Sequence, residues 1–207
     1  MLFRSGERNN RKMQKMIALL MAALCAVAFV SCNNSSNGSG SSNESSSGAA
    51  VSNATSAEIF DAINSAFAEK YPDAGAVIPN MPQDVDDTVL QDKFGIDIGD
   101  VEDYKGQIAG TMTNCDMLLI VKAKDGRIDS VRASLESAKE AQTEQFASYG
   151  VMGNIERTAA SKVVTNGNYA ALIMVGVLPD DPDAALDFDS DVKLAEDTFN
   201  RTIDGTK

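Results

Sequence analysis

The chain has 207 residues, with 18 Lys and Arg against 30 Asp and Glu, a net charge of −12, and no histidine. The acidic balance excludes nucleic acid as a partner, because binding to phosphates requires clusters of Lys and Arg. The lack of histidine excludes Ser-His-Asp and Cys-His catalysis and removes the commonest transition-metal ligand.

A basic segment and a short apolar run come first. Five of the first sixteen residues are basic, and residues 17–30 form a run of fourteen apolar residues. A membrane-spanning helix needs about twenty apolar residues, whereas about fourteen fit the apolar core of a secretory signal peptide. We therefore predict a signal peptide at residues 1–31 and no transmembrane helix in the mature protein.

The segment Phe29-Val30-Ser31-Cys32 resembles the lipobox of bacterial lipoproteins, in which a small residue precedes an obligatory cysteine. The resemblance implies cleavage between Ser31 and Cys32 and attachment of diacylglycerol to the Cys32 thiol, although Phe29 departs from the usual aliphatic residue. Membrane lipid, contacted through acylated Cys32, is then one partner, and the extracytoplasmic face of the bacterial cell membrane is the location. The alternative is an ordinary signal peptide cleaved elsewhere, which leaves Cys32 as a free thiol.

Residues 32–56 follow as a tract of almost only Ser, Asn, Gly, Ala and Thr. Such a composition buries too little apolar surface to offset chain entropy, so it predicts a disordered tether. As a flexible coil it spans about 25–30 Å. The mature chain carries 13 basic and 29 acidic residues, a net charge of −16. Its remaining 151 residues, 57–207, are enough for one globular domain.

Two helices are predicted at the start of this domain. Thr55 and Glu58 form a capping-box pattern, and apolar residues then recur at helical spacing until Tyr71-Pro72. Residues 84–94 predict a second, shorter helix that ends at Gly95, with Val85, Val89, Leu90 and Phe94 facing inward.

After an acidic turn at residues 97–104, two strands are predicted at residues 107–112 and 117–123. Residues 117–121 are apolar throughout, which is typical of an interior strand covered on both faces. Asp125-Gly126 predicts a turn, and residues 129–149 predict the longest helix, which ends before Gly150. Its expected inward positions are Val131, Leu135, Ala138, Gln142 and Phe146.

A hairpin and a terminal helix complete the predicted domain. Residues 162–165 and 168–177 read as strands joined by Asn166-Gly167 in a type I′ turn. Asp181-Pro182 predicts the start of a helix over about residues 182–203, with an apolar stripe of Ala185, Phe188, Val192, Ala195, Phe199 and Ile203. The expected fold class is α+β, with a small, mostly antiparallel four-stranded sheet covered by amphipathic helices.

Three segments of this domain carry a family resemblance: residues 93–97 (Lys-Phe-Gly-Ile-Asp), residues 120–126 (Ile-Val-Lys-Ala-Lys-Asp-Gly) and residues 163–169 (Val-Val-Thr-Asn-Gly-Asn-Tyr). With them the region 59–177 resembles DUF4358, a domain of unknown function found in bacterial lipoproteins. The resemblance implies a shared fold and a place at the membrane, and it implies no catalytic residue.

Three short patterns bear on chemistry. Ser190 and Lys193 match Ser-x-x-Lys, but the companion Lys-Thr-Gly motif is absent. Residues 187–191 imitate the opening of an EF-hand calcium loop, yet Val192 stands where glycine is required and Thr198 where the bidentate Glu is required. Cys115 is expected to be a buried, unreactive thiol beside Asp116. We therefore predict no catalytic, cofactor-binding or metal-binding residue, and leave open whether the acidic segment binds calcium.

The leading hypothesis is a non-enzymatic, membrane-anchored lipoprotein whose domain binds or positions an unidentified envelope protein or ligand. One alternative is a module that binds a small cationic or peptide ligand, which the net charge of −16 favours. The other is a hydrolase that uses carboxylates alone, as glycosidases do.

Overall fold

The computed structural model describes residues 53–79, 81–181 and 184–206. The predictions for the signal peptide, for Ser31 and Cys32 and for nearly all of the tether lie outside the described residues. The described part contains five α-helices: α1 (Ser56–Lys70), α2 (Asp87–Asp92), α3 (Ile128–Phe146), α4 (Asn154–Ala160) and α5 (Phe188–Asp204). Within this part, no helix is both long enough and apolar enough to cross a membrane.

One antiparallel sheet organises the domain. Its strands are β1 (Pro82–Asp84), β2 (Val101–Ala109), β3 (Met117–Ala123), β4 (Lys162–Asn166) and β5 (Tyr169–Met174). They lie side by side in the order β1-β2-β3-β5-β4, and every neighbouring pair is antiparallel. The α+β class is therefore confirmed, but the sheet has five strands in place of the predicted four.

Helices cover both faces of the central strand β3, as its apolar sequence predicts. Leu118 and Ile120 point to the face that carries α1 and α5, while Leu119 and Val121 point to the face that carries α2 and α3. Successive residues of a strand face opposite sides of the sheet, and because helices cover both sides, all four side chains are fully buried. The result is a sheet between two helical layers, with one apolar core on each side.

Helix α1 begins as the capping box predicts. The Thr55 hydroxyl accepts a hydrogen bond from the Glu58 N–H (3.1 Å), and the Glu58 carboxylate accepts one from the Thr55 N–H (2.8 Å). The hydrogen bond from the Thr55 N–H and, next, a bond that the Thr55 hydroxyl donates to the same carboxylate (3.0 Å) lower the pKa of Glu58. Ser56 already belongs to the helix and is fully buried, so the last residue assigned to the tether lies within the folded domain.

The fifth strand comes from the segment predicted to start a helix at residue 84. Pro82–Asp84 instead pairs with the C-terminal end of β2, and α2 starts only at Asp87, with the Asp86 side chain capping its first turn. All three residues of β1 are exposed, so the strand shows no alternation of apolar and polar residues. Its existence depends on pairing with a distant strand. Leu90 and Phe94 are buried as predicted. The helix ends at Asp92 with Lys93 as its C-cap, which is earlier than predicted, and Gly95 follows two residues later with a positive φ of 64°.

Strand β2 starts at Val101, inside the predicted acidic turn, and ends at Ala109. The acidic residues that suggested a turn have partners on neighbouring elements: Glu102 accepts from Lys122 Nζ (3.0 Å), and Asp103 accepts from the Ser56 N–H (2.6 Å). Because these partners are distant in sequence, local composition gave the wrong assignment.

The two long amphipathic helices are confirmed, with shifted ends. All five predicted inward positions of α3 are buried. Helix α5 begins at Phe188 with Asp187 as its N-cap, so the predicted start at Asp181 is wrong, and Ala185 lies outside the helix and is exposed. Pro182 is outside the described residues. The prediction also missed the two-turn helix α4.

The β4–β5 hairpin is confirmed, but its turn is displaced by one residue. Asn166 pairs with Tyr169, so Gly167 and Asn168 form the two-residue loop. Only the first of them has positive φ (57°), which matches a type II′ turn rather than the predicted type I′ turn.

Candidate functional site

A cavity of about 480 Å³ opens beside the C-terminal end of α1. Its walls are formed by Lys70 and Tyr71, by the loop that follows them, by residues 176–180 after β5, and by Met152 and Arg157. A volume of roughly 300–1,000 Å³ is typical of sites for small ligands. This cavity is the candidate functional site.

The floor of the cavity contains a buried ion pair. Arg157 Nε lies 2.9 Å from Asp116 Oδ1, and each side chain is only 2 % exposed. The two atoms make no hydrogen bond with each other despite this distance, so their contact is electrostatic. The guanidinium also donates to the Gly176 carbonyl (3.0 Å) and stacks 4.6 Å from the centroid of the Phe188 ring.

Burial dominates the electrostatics of this pair. It raises the pKa of Asp116 to about 6, and the nearby Arg157 charge and the hydrogen bond from the Asn114 amide offset only part of the effect. A raised carboxyl pKa at a cavity is a feature of functional sites, although structural ion pairs produce it as well.

A second buried carboxylate fixes the wall of the cavity. Asp191, only 1 % exposed, accepts hydrogen bonds from Lys70 Nζ (2.8 Å), the Tyr71 hydroxyl (2.5 Å) and the Val177 N–H (3.0 Å). Burial and, next, the bond to Asp191 raise the pKa of Tyr71. Asp191 thus ties α5 to the end of α1 and to the segment after β5.

The rim differs from the floor in its charge. Asp73 and Asp180 line the cavity and are exposed, and neither forms an ion pair with any residue that the structure describes. The adjoining wall is apolar and rigid, with Pro72, Leu178 and Pro179. The cavity therefore combines neutralised cations inside with free carboxylates at its mouth.

The segment from Gly150 to Gly153 approaches the same cavity in an unusual conformation. Met152, which lines the cavity, has a positive φ of 59°, and Gly153 follows with 68°. A non-glycine residue rarely adopts this region, and such residues cluster at functional sites. Packing accounts for the glycine at position 153, because a Cβ there would lie 2.8 Å from the Phe188 ring.

The residues that sequence patterns singled out lie elsewhere or serve the structure. Cys115 is buried, its backbone N–H bonds to Asn154 Oδ1 (3.1 Å), and burial raises the pKa of its thiol to about 11, as expected for an unreactive cysteine. Ser190 accepts from Lys70 (3.1 Å), whereas Lys193 pairs with Asp197 (2.6 Å), so the Ser-x-x-Lys residues do not act together.

The EF-hand-like segment is the beginning of helix α5 and not a loop. Asp187 accepts from the Ser190 N–H (3.2 Å) as the N-cap, Asp189 is exposed, and Asp191 points into the protein toward Lys70. In the described part of the chain, no three acidic or cysteine side chains converge in a way that could hold a metal ion.

Sequence reasoning missed both ion pairs of the cavity. Asp116 and Arg157 are 41 positions apart, and Lys70 and Asp191 are 121 apart. Neither pair belongs to a motif. The only sequence signal was that Asp116 directly precedes a buried strand, which does not identify a partner.

Comparison with known proteins shows a likeness to one family and indicates no activity. Residues 76–175 match the family model described as domain of unknown function DUF4358. The matched range begins later than the predicted residue 59 and covers β1 to β5 with α2, α3 and α4. No curated protein and no solved structure matches the chain.

Proposed function

The protein thus carries a DUF4358-like domain at residues 76–175, and we propose that it is a lipid-anchored, non-enzymatic binding protein of the bacterial cell envelope. In this proposal Cys32 holds the chain at the extracytoplasmic face of the membrane. The cavity at the end of α1 binds a small cationic ligand or the cationic side chain of a peptide.

The sequence supports the placement. A basic N-terminus, an apolar run of fourteen residues, the lipobox-like Phe29-Val30-Ser31-Cys32 and a Ser/Asn/Gly-rich tract follow one another without interruption. Two or more acyl chains hold a protein stably at a membrane, whereas a single chain holds it only marginally. The placement therefore requires lipid on Cys32.

The charge distribution of the cavity carries the ligand proposal. Both cations of its walls are neutralised by buried carboxylates, Lys70 by Asp191 and Arg157 by Asp116. Asp73 and Asp180 at the rim keep their negative charge without a cation among the described residues. A ligand with a positive end and an apolar stem fits these carboxylates and the proline-rich wall. This single observation favours a cationic ligand over an anionic one.

The same geometry disfavours a carboxylate-only hydrolase. A glycosidase-type mechanism needs two carboxyl groups on either side of a bond of the substrate. The carboxyl with a raised pKa, Asp116, is 2 % exposed and is held by Arg157 and Asn114. A substrate would have to displace those partners, so a binding role is the simpler function.

Titration with a matched pair of peptides tests the ligand proposal. The full-length protein in detergent is titrated with acetyl-Ala-Lys-Ala-amide and with acetyl-Ala-Gln-Ala-amide, and binding is followed by NMR. We expect the lysine peptide alone to shift signals of residues 70–74 and 176–180. Equal effects of both peptides, or shifts elsewhere, would contradict the proposal.

Two double variants with the same change in net charge test whether the carboxylates at the cavity bind the lysine peptide. Asp73→Asn with Asp180→Asn should weaken lysine-peptide binding about three- to tenfold, because each exposed ion pair contributes up to about 1 kcal/mol. Asp61→Asn with Asp92→Asn removes two exposed carboxylates outside the cavity and should leave the affinity unchanged. Equal weakening by both double variants would indicate a non-specific effect of charge.

A further inference from the structure

The cations of the described part are almost all paired with carboxylates. Of its twelve Lys and Arg side chains, nine form ion pairs. The exceptions are Lys93, Lys124 and Arg201. Lys124 donates to the Gly99 carbonyl and Arg201 to the Thr198 hydroxyl. In a protein this acidic, a lysine without a carboxylate partner is unusual.

Lys93 lines a cavity. It follows α2 and reaches across to α3, where Nζ donates to Gln142 Oε1 at 3.3 Å. The cavity there has a volume of about 200 Å³, and Asp116 is the one lining residue that it shares with the site described above. Its walls come from the end of β2, the segment before β3 and helix α3.

No carboxylate forms an ion pair with Lys93 in the described part of the chain. Gln142 is only 6 % exposed, and its amide NH₂ donates no hydrogen bond to any described residue. Gln83, Gln145 and Thr111 also line the cavity. Asp116 reaches it from the floor, but that carboxylate is already occupied by Arg157 and by the Asn114 amide.

These observations define the chemistry that fits. An ammonium group and an adjacent amide NH₂ present two donors, which match the two oxygens of a carboxylate. One uncompensated positive charge favours a monoanion over a more highly charged phosphate, and the volume limits the ligand to a small group. Lys93 as a whole residue is exposed, but partial burial of its ammonium group lowers its pKa, as expected for a cation that lacks an anionic partner.

We propose that Lys93 and Gln142 form a second binding site, which takes a small carboxylate. The group comes either from a free carboxylic acid or from the C-terminus of a peptide. The site is distinct from the cationic-ligand site, because Lys93 and Gln142 line only this cavity, although Asp116 lines both.

The test uses acetate, triglycine and triglycine amide as probes on the full-length protein in detergent. Binding is followed by NMR through the side-chain amide of Gln142 and the backbone amide of Thr111. We expect acetate and triglycine to shift both signals in a saturable manner and triglycine amide to leave them unchanged. Saturation by acetate alone assigns the site to free acids, and saturation by triglycine at lower concentration assigns it to peptide C-termini.

Variants of Lys93 complete the test. Lys93→Met should weaken acetate binding about tenfold or more, because a hydrogen bond from a charged group is lost, whereas Lys93→Arg should retain part of the affinity. Lys124→Met, which removes the other unpaired lysine, should bind acetate as the unchanged protein does. No saturable shift with acetate, equal loss in both Met variants, or tighter binding of inorganic phosphate than of acetate would overturn the proposal.

Discussion

Asp116 and Arg157 form an ion pair, 2.9 Å from Oδ1 to Nε, in which both side chains are 98 % removed from solvent. The pair joins the start of β3 to helix α4, and the same guanidinium contacts the carbonyl of Gly176 and the ring of Phe188. The floor of the larger cavity therefore depends on one arginine.

Substitution of Arg157 should lower the free energy of unfolding. Arg157→Met leaves the Asp116 carboxylate buried without its cation, which typically destabilises a protein by about 3–5 kcal/mol. Urea unfolding measures the change, with Arg201→Met as the control because Arg201 is exposed and pairs with no carboxylate in the described part. That control should change stability by less than about 0.5 kcal/mol. The double variant Arg157→Met with Asp116→Asn should lose less stability than the two single variants lose in total. Strict additivity would mean that the two groups do not interact.

The raised pKa of Asp116 should appear in the pH dependence of stability. Its folded value of about 6 exceeds the ordinary 3.8, so the folded state binds more protons than the unfolded state between these pH values. The contribution of Asp116 to stability therefore increases as the pH falls from about 7 to about 4.

Comparison of the unchanged protein with Asp116→Asn isolates this contribution, because other carboxylates titrate equally in both. The free energy of unfolding of the unchanged protein, minus that of the variant, should rise as the pH is lowered through 6. A difference that stays constant from pH 4 to pH 7 would show that Asp116 has an ordinary pKa.

Gly176 should tolerate no side chain. A Cβ at this position would lie 2.1 Å from Cδ1 of Phe188, and overpacking of this kind costs about 1–3 kcal/mol or more. Gly176→Ala should lower the melting temperature clearly in a thermal scan. Gly150→Ala is the matched control, because its Cβ would meet only the end of the Ile155 side chain at 3.3 Å. Equal stability of both variants would contradict the packing described here.

The proposed lipid anchor predicts that substitution of one cysteine releases the protein from the membrane. Cys32→Ala should shift the protein from the membrane fraction to soluble or uncleaved precursor forms. Cys25→Ala, within the same apolar run, should leave fractionation unchanged. Mass spectrometry of the mature protein should find lipid on Cys32 as its first residue. Membrane retention of Cys32→Ala would refute the anchor.

The sequence alone determined those helices and strands whose pattern of capping or apolar residues lies within a single segment of the chain. The capping box of α1, the apolar residues of β3 and the stripes of α3 and α5 each follow from the helix or strand period. These predictions are confirmed except for Ala185, which lies before α5 and is exposed. They succeed because the side chains that face the core recur with the period of the helix or strand itself.

Tertiary structure alone decided the remainder. Strand β1 is three exposed residues that become a strand by pairing with β2, and the start of β2 is stabilised by Ser56 and Lys122 from distant elements. Both cavities, the Asp116–Arg157 pair and the unpaired Lys93 arise where elements far apart in sequence meet. Sequence fixes local conformation through short-range sterics and hydrogen bonds, whereas the position of a charge relative to its partner depends on how the whole chain packs.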